Sequence, residues 1–597
     1  MAYQTSFDRA PGPGVPQIFV EQAYDDARDG AVRYNNNNTA IGTIPTWVQL
    51  PMYNQQTRLE RQLRQNQVRH ASGVNNQSFW PPGVLKALVT KEAIANELSQ
   101  AIRGLDRDKA SEIARQVWQD RSGPSIKVFT ILLFLGKLDD FVYHIMGCRV
   151  GVRDHNLPLS LDTDPWGSDL LLEGFDTYQR RLTIPIFRLK KDDNTLIHLD
   201  LNARDILPWC EENTVAPINA MSGGFGTVTR INVAGGLFAI KRLRQQTRID
   251  FQQEVTALER FNGKVHPHLV TLLATFTHGG YYHMIFPWAE CDLDSYWAKH
   301  PTPDPEDVGL IRWLSQQCLG IMEAVSVIHN PAHLLSASRF GRHGDIKAEN
   351  ILWFKSQDPY DRGILVISDL GLTAINSEKS RSMRPNTDLR VTPSYRPPEC
   401  DIKGGVVSRA FDIWTLGCLY LELVCWLLTG NQGKLEFDSR RTTPFIFGAN
   451  ADVYFDIKKP RRDTAGKYIF QVKGAVSRTI RGLHEHERSS LWTHHLLNMI
   501  EDDMLVVLSE GHVRKTSRDL LGNLRSMHRR AQSDAGYCTT PAPQARNSNL
   551  RRPTRTLAEL NEVAQNKVRE NPVRTDESDD RPWQSSLLPD ALGRLDI

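Results

Sequence analysis

The sequence predicts an α+β architecture in two lobes, a small β-rich lobe followed by a large helical one, with a small helical region ahead of both. Three observations carry this. Residues 213–286 set strand-like runs around one stretch of helical spacing; residues from about 290 to about 530 keep helical spacing almost throughout; and helical spacing also begins near residue 81, after a polar start. The period of the apolar residues separates these classes, because strand side chains alternate between two faces while helical ones return to one face every third or fourth residue.

In chain order, residues 1–80 read as weakly ordered, with "NNNN" at 35–38 and the polar "QQTRLERQLRQNQVRH" at 55–70, which suits at most a short polar helix. Residues 81–165 form a helical region of unassigned role. Thr90 is its expected N-cap, since a hydroxyl there can accept an unpaired helix N–H, and Ile94, Leu98, Ala101 and Ile102 share one face. Further helices are expected over 107–119 and 124–137. Residues 166–212 mix "RLTIPIF" and "TLIHLDL" with turns, and read either as a linker or as an extension of the small lobe. In that lobe "FGTVTRINV" and "LFAIKRL" are strands joined at "AGG". "DFQQEVTALERF" is a helix with Phe251, Val255 and Leu258 on one side, and "YYHMIFPWA" is a further strand. The most apolar run, "LGCLYLELVCWLL" at 416–428, is too short for a bilayer and carries Glu422, so it is expected to be a buried core helix with no membrane span. Residues 531–597 are polar and Pro-containing, and are expected to be a disordered tail.

Composition narrows the function classes. A chain of 597 residues, 40% hydrophobic and 24% charged, has material for several domains with real cores. A net charge of +3 gives no electrostatic case for nucleic acid or an anionic membrane. The 8 cysteines are scattered without a C-x-x-C pair, which argues against a disulfide framework or zinc site and for a reducing compartment. The start "MAYQTSFDRAPGPG" has no apolar h-region, so no secretory signal is expected and the protein is placed inside the cell, in cytoplasm or nucleus. "HEHE" at 484–487 and His494-His495 are expected on solvated helix or loop rather than on a metal, and "RRPTR" at 551–555 as a basic tail.

The chemistry concentrates in a few short stretches. "MSGGFGTV" at 221–228 places glycines at 223, 224 and 226 of a strand–turn–strand, where backbone N–H groups can come close to phosphate. Lys241 follows on a strand, and Glu254 on the next helix; a buried lysine needs such a countercharge, and the pair can hold it against the α- and β-phosphates of a nucleotide. In "GRHGDIKAENILWF", at 341–354, Asp345 can accept a substrate hydroxyl proton and Lys347 can neutralise a phosphoryl group in transit. Asn350 can bind Mg2+ through its amide oxygen, and His343 can brace the loop. The strand of "ILVISDLGL" then ends at Asp369-Leu370-Gly371, so Asp369 supplies a carboxylate to the same metal. Phosphoryl transfer asks for positioning and charge neutralisation more than covalent chemistry, and this set offers both.

These motifs, with "TPSYRPPE" and "DIWTLGC" after them, run in the order of a known family. Over 213–530 the chain resembles eukaryotic-type Ser/Thr protein kinases, and is similar to a divergent group from filamentous fungi that shares "GRHGDIKPENIL"-like loops and "YRPPE". The resemblance implies a two-lobed protein-kinase-like fold, ATP and Mg2+ as cofactors, and serine or threonine of a protein substrate as acceptor. It implies that Asp345, Lys347, Lys241 and Glu254 are catalytic. Gly223, Gly224, Gly226, Val228, Lys241, Phe286 and Trp288 would meet the nucleotide, and Asn350 and Asp369 the metal. Ile285 resembles the gatekeeper, with the Phe286 carbonyl and Trp288 N–H facing the adenine edge. Thr392 resembles the threonine that touches the catalytic Asp and Lys. Glu399 would pair with Arg514, and Asp412 would tie the catalytic loop to helix 412–428. The chain departs from the pattern at Met221, where the first loop glycine is expected, at Leu370 for phenylalanine, at Ala348 for proline, and at Gly344 for the arginine before Asp345. A second reading uses the same fold as a pseudokinase scaffold or binding module, with the N-terminal helical region as partner surface; the presence of all six key polar groups weighs against it. A small-molecule kinase is disfavoured by "YRPPE", which in the family shapes a peptide-docking surface.

Overall fold

A computed structural model describes residues 59–570 apart from 71–77, 120–122, 140–141, 143–151, 161–168, 188–195, 197, 210–220, 224–225, 234–235, 244–247, 262–264, 332–338, 371–373, 378–393, 445–449, 461–465 and 543–553. It divides into two units. One runs to Phe251 and resumes over Leu272–Trp288; the other holds Gln252–Thr271 and the chain from Ala289 on.

The first unit opens with helices α1 (Leu59–Gln65), α2 (Pro82–Leu88), α3 (Lys91–Ala101), α4 (Arg107–Gln119), α5 (Ile126–Phe134) and α6 (Asp169–Leu182). The Thr90 hydroxyl caps α3 by accepting from Ala93 N–H at 3.1 Å. Ile94 and Leu98 are fully buried, whereas Ala101, at the last turn, is exposed. Helix α1 lies in the stretch read as weakly ordered; its Leu59 and Leu63 join Trp80, Phe129 and Leu182 in one apolar cluster, which is what orders it. A six-stranded sheet follows, built from β1 (His198–Asp200), β2 (Met221–Gly223), β3 (Gly226–Val233), β4 (Gly236–Leu243), β5 (Ala274–His278) and β6 (Tyr281–Pro287), in spatial order β1-β5-β6-β4-β3-β2. β1 pairs in parallel with β5, so residues ahead of 213 supply an edge strand. Trp209 also joins Ile231, Phe238, Ile240, Phe276 and Ile285 in the core of one sheet face, with Phe187 stacked on it at 5.6 Å. Side chains alternate along a strand, so Lys241 projects from the face opposite Ile240.

Helix α7 (Arg248–Arg260) leads into the second unit, where β7 (Cys291–Asp292), α8 (Leu293–Lys299), α9 (Val308–His329), β8 (Arg339–Arg342), β9 (Ile351–Phe354), β10 (Ile364–Ile367) and β11 (Ala374–Ser377) precede the central helix α10 (Ala410–Arg441). Among the described residues α10 alone is long and apolar enough to cross a membrane by composition, and its apolar window is wholly buried inside the protein. It bends at Gly430 (φ 70°), where the N–H of Asn431 reaches the Pro301 carbonyl at 2.9 Å and a Cβ would meet that oxygen at 2.6 Å. The bend returns Arg441 to Glu422 at 3.2 Å. Tyr454 donates to the same carboxylate at 2.7 Å, and Tyr395 also bonds it. The one charge in the apolar run is therefore partnered.

His268 sits against α9: its Nδ1 lies 2.6 Å from the Leu365 carbonyl, and a Cβ at Gly320 would fall 2.0 Å from its Nε2. Burial, then the charge of His266, push its pKa from 6.5 down to about 4. The unfolded chain therefore binds the extra proton first, and stability falls as pH drops from about 6.5 through about 4. Thermal unfolding across that window is expected to show the decline, and His268→Gln to flatten it; an unchanged slope in the variant would remove His268 from the account.

The chain after α10 continues through β12 (Phe455–Lys458), β13 (Tyr468–Val472), α11 (Gly474–Glu485), α12 (Leu491–Met499), α13 (Ser517–Ser533), α14 (Ala535–Thr539), β14 (Arg555–Ala558) and α15 (Glu562–Glu570). The expected disordered tail is thus corrected over 531–542 and 554–570: β14 pairs antiparallel with β13, and Tyr537 and Cys538 are buried. A sparse apolar pattern sufficed because backbone pairing does most of the holding. His484 and His494 also depart from the solvated reading. They are buried and stacked with Nδ1 atoms 2.7 Å apart, and His494 Nε2 reaches the Ala542 carbonyl at 2.6 Å. No group of three or more His, Cys, Asp or Glu among the described residues is placed to hold a metal.

Candidate active site

The site in the second unit is a loop held from below. β9 and β10 pair with Ile351 opposite Ile367, which sets Asn350 beside Ser368. Ser368 N–H and Oγ both donate to the Asn350 carbonyl, at 2.8 and 3.0 Å. His343, fully buried, spans the two segments: its Nδ1 accepts from Asp345 N–H at 3.2 Å and its Nε2 donates to the Ser368 carbonyl at 3.0 Å. That polarity puts the proton on Nε2. Asp412, at the start of α10, accepts from His343 N–H and Gly344 N–H at 2.8 Å each and from His329 Nε2 at 2.9 Å. Burial alone would raise its pKa, but the bond from His329 and the Gly344 N–H hold it below the usual carboxylate range.

On this base the predicted polar groups converge. Asp345 is buried, and Lys347 Nζ lies 3.3 Å from its Oδ2. Asn350 Nδ2 donates to the Asp345 carbonyl at 2.8 Å and to its Oδ2 at 2.9 Å, which turns the amide Oδ1 away from Asp345. Asp369 follows Ser368 and is the one non-glycine residue with positive φ (57°) among those described. Such a conformation is costly for an aspartate and is typical of a residue aimed for function. Asp345, Lys347 and Asn350 are therefore bonded to one another, and Asp369 is the neighbour of Ser368, which bonds Asn350. Gly344 has φ +85°, a conformation that an arginine adopts only with strain, which accounts for the glycine there.

The first unit carries the other predicted residues. Lys241 stands opposite Val228 on β3 and Met284 on β6, and Gly223 opposite Gly226 at the β2–β3 turn. Gly224 lies outside the described residues, as do Thr392 and Gly371. Phe286 pairs with Ala239. The expectation for Trp288 is corrected: its N–H donates to the Leu237 carbonyl at 3.3 Å, because the β4–β6 ladder continues one residue past Pro287. A nucleotide edge could take that N–H only by displacing Leu237. Glu254 is buried on α7; it and Lys241 belong to different units. Glu399 and Arg514 are paired as expected, bidentate at 2.6 and 2.9 Å, with the guanidinium 4.8 Å from the Trp414 ring centroid. The sequence does not mark His329 or Ser368: each acts through hydrogen bonds to residues distant in the chain, and neither has a local signature.

Residues 222–460 match the family model described as "Protein kinase domain". The chain is similar to the serine/threonine-protein kinase SSN3 of Coccidioides immitis, 25% identical over 38% of this chain and 47% of that protein. It is likewise similar to the CTD kinase subunit alpha of Schizosaccharomyces pombe, 32% identical over 43% of this chain and 42% of that protein. The serine/threonine-protein kinase ssn3 of Emericella nidulans is 26% identical over 40% of this chain and 56% of its own length. The chain spans about half the length of these curated relatives.

Proposed function

We propose that this chain moves the γ-phosphoryl group of ATP to serine or threonine hydroxyls of protein substrates. The observation that carries the reading is the bonded group of Asp345, Lys347 and Asn350, braced by His343 and Asp412, with Asp369 next to the Ser368 that bonds Asn350. Asp345 takes the proton of the substrate hydroxyl; the oxygen bonds to the γ-phosphorus as the bond to the β-phosphate oxygen breaks and ADP leaves. Lys347 neutralises charge on the transferring group, and Lys241 is assigned to the α- and β-phosphates. Gly223, Gly224, Gly226, Val228 and Phe286 line the nucleotide. The donor set suits Mg2+: the Asn350 Oδ1, turned from Asp345, and the Asp369 carboxylate are hard oxygens, and would hold the ion while phosphates and water complete its shell. When bound, Mg2+ screens the phosphate charges. The thiols described are free of disulfides, which suits an intracellular setting. The test is transfer from ATP and Mg2+ to a generic Ser/Thr peptide by the purified chain, with Asp345→Asn as control. One observation favours the scaffold reading, the Trp288 N–H already bonded to Leu237; absence of ATP binding would favour it over catalysis.

Activation in this reading does not need a phosphate on the segment after Asp369. Gly344 offers no side chain to pair with one, and Arg342 is buried with its guanidinium 5.3 Å from the Phe411 ring centroid. Instead β11 pairs along its whole length with β8, Arg342 opposite Ala374 and Arg339 opposite Ser377, so the backbone itself anchors the segment's start. Changing Ser377, Ser380, Ser382 and Thr387 together to alanine is expected to leave turnover within about threefold; a loss of a hundredfold, on the order of 3 kcal/mol in the barrier, would refute the idea.

A further inference from the structure

The tail from Thr554 to Glu570 is not used by the chemistry above, yet it is bound at three places within the second unit. Thr554 Oγ1 accepts from the N–H of buried Val507 at 2.8 Å. β14 adds a third strand to β12 and β13. Beyond it, residues 559–561 run against the loop that follows Glu399. Lys403 N–H donates to the Glu559 carbonyl at 2.9 Å, Ile402 bridges Leu560, and Asn561 N–H donates to the Asp401 carbonyl at 3.0 Å. Asn561 Nδ2 donates to the Cys400 carbonyl at 2.8 Å, while its Oδ1 accepts from Ala564 N–H at 2.8 Å and so caps α15. Asn561 and Leu560 are buried; the Lys403–Glu559 ion pair beside them is exposed. An amide held by both ends between a loop carbonyl and a helix terminus fixes one against the other.

What this loop touches gives the tail a role. Glu399 is held by Arg514, Arg396 by Asp401 at 3.1 Å, and Tyr395 by Glu422, so 395–401 is pinned from the large-lobe side. Cys400, Val407 and Phe411 form one apolar cluster. Arg342, three residues before Asp345, bonds the Val407 carbonyl at 3.4 Å and lies over Phe411, and Asp412 holds His343 and Gly344. The turn itself is tight: a Cβ at Gly405 would meet the Glu399 carbonyl at 2.1 Å, so movement at 400–403 is passed to 399. The contacts thus run without a break from Asn561 to the catalytic loop.

We infer that the tail is a strap that positions the peptide-docking segment 395–401, with Asn561 as the positioning residue. The inference rests on the kinase reading, since a docking segment needs a substrate. Thr554 and Asn561 are its two fastenings, one at each end of β14. Detaching the strap loosens how a peptide is held beside Asp345 and leaves the nucleotide side alone.

The test uses the full chain and two variants. Asn561→Asp keeps an oxygen to cap α15 but sets a carboxylate against the Cys400 carbonyl; Thr554→Val removes the acceptor at the other end. Amide hydrogen exchange is read at Lys403, and steady-state kinetics are taken with a generic Ser/Thr peptide and with ATP. Both variants are expected to speed exchange at Lys403 by about tenfold or more, and to raise the peptide KM by about fivefold while the ATP KM stays within about twofold. Unchanged exchange at Lys403 in both variants overturns the strap. Faster exchange with an unchanged peptide KM overturns the positioning role and leaves the kinase reading standing. Absence of turnover in the unsubstituted chain overturns both.

Discussion

Asp345→Asn is expected to lower kcat by about 10²–10⁴-fold, the range associated with a positioned general base, while the fold stays intact. The replacement is isosteric, and an amide oxygen in place of Oδ2 can still accept the bond that Asn350 Nδ2 makes at 2.9 Å. What is lost is the capacity to take a proton and the negative charge 3.3 Å from Lys347 Nζ. Asp369→Asn and Lys241→Met should each abolish transfer as well, the first by removing a hard charged ligand and the second by removing the phosphate countercharge. In that reading Asp345 and Asp369 serve one step, so the double variant Asp345→Asn/Asp369→Asn should fall little below the worse single one. The measurement is initial-rate transfer from labelled ATP to a peptide, with thermal unfolding recorded on the same samples. Near-normal rates in any of the three folded variants would remove that residue from the site.

Much of this site was legible because its parts lie close together in the chain. Asp345, Lys347 and Asn350 fall within one turn of loop, and Asp369 follows the strand that pairs with the strand after Asn350, so local spacing already brings the two segments side by side. The edge strand His198–Asp200 was not legible as part of the sheet. A three-residue parallel strand has too little periodicity to announce a partner more than seventy residues on, at Thr275–Thr277. The Trp288 N–H was misjudged for a related reason: where a ladder stops depends on the register of two strands, not on either sequence. The tail is not legible because composition reports what a segment can bury, whereas β14 is held by backbone pairing and Asn561 by the two ends of its side-chain amide. Gly344 shows the reverse case. A departure from the family pattern is visible in the sequence, but its cause, a left-handed backbone just before Asp345, lies in the fold.

Asp412→Ala is expected to be strongly destabilising, about 3–5 kcal/mol, the range for removing one partner from a buried charge network. The carboxylate is fully buried and accepts from His343 N–H, Gly344 N–H and His329. Without it two buried backbone donors have no acceptor, at about 1–3 kcal/mol each. Asn at 412 would rescue only in part, since one of its two terminal atoms is a donor facing a donor. The pH dependence separates this from a general packing loss. The folded pKa lies below the unfolded value, so the contribution is fully present above the ordinary aspartate range and is lost as pH falls through the depressed folded value. The gap between native chain and variant in denaturant midpoint should therefore hold from neutral pH down to mildly acid conditions and narrow only below about pH 4. A variant with an unchanged midpoint, or a gap that closes already near neutrality, would show that Asp412 does not hold the loop. Since the same two N–H groups belong to the residues preceding Asp345, any folded fraction of Asp412→Ala should also lose turnover at unchanged ATP affinity: the anchor sets where the base stands, and the nucleotide is held from elsewhere.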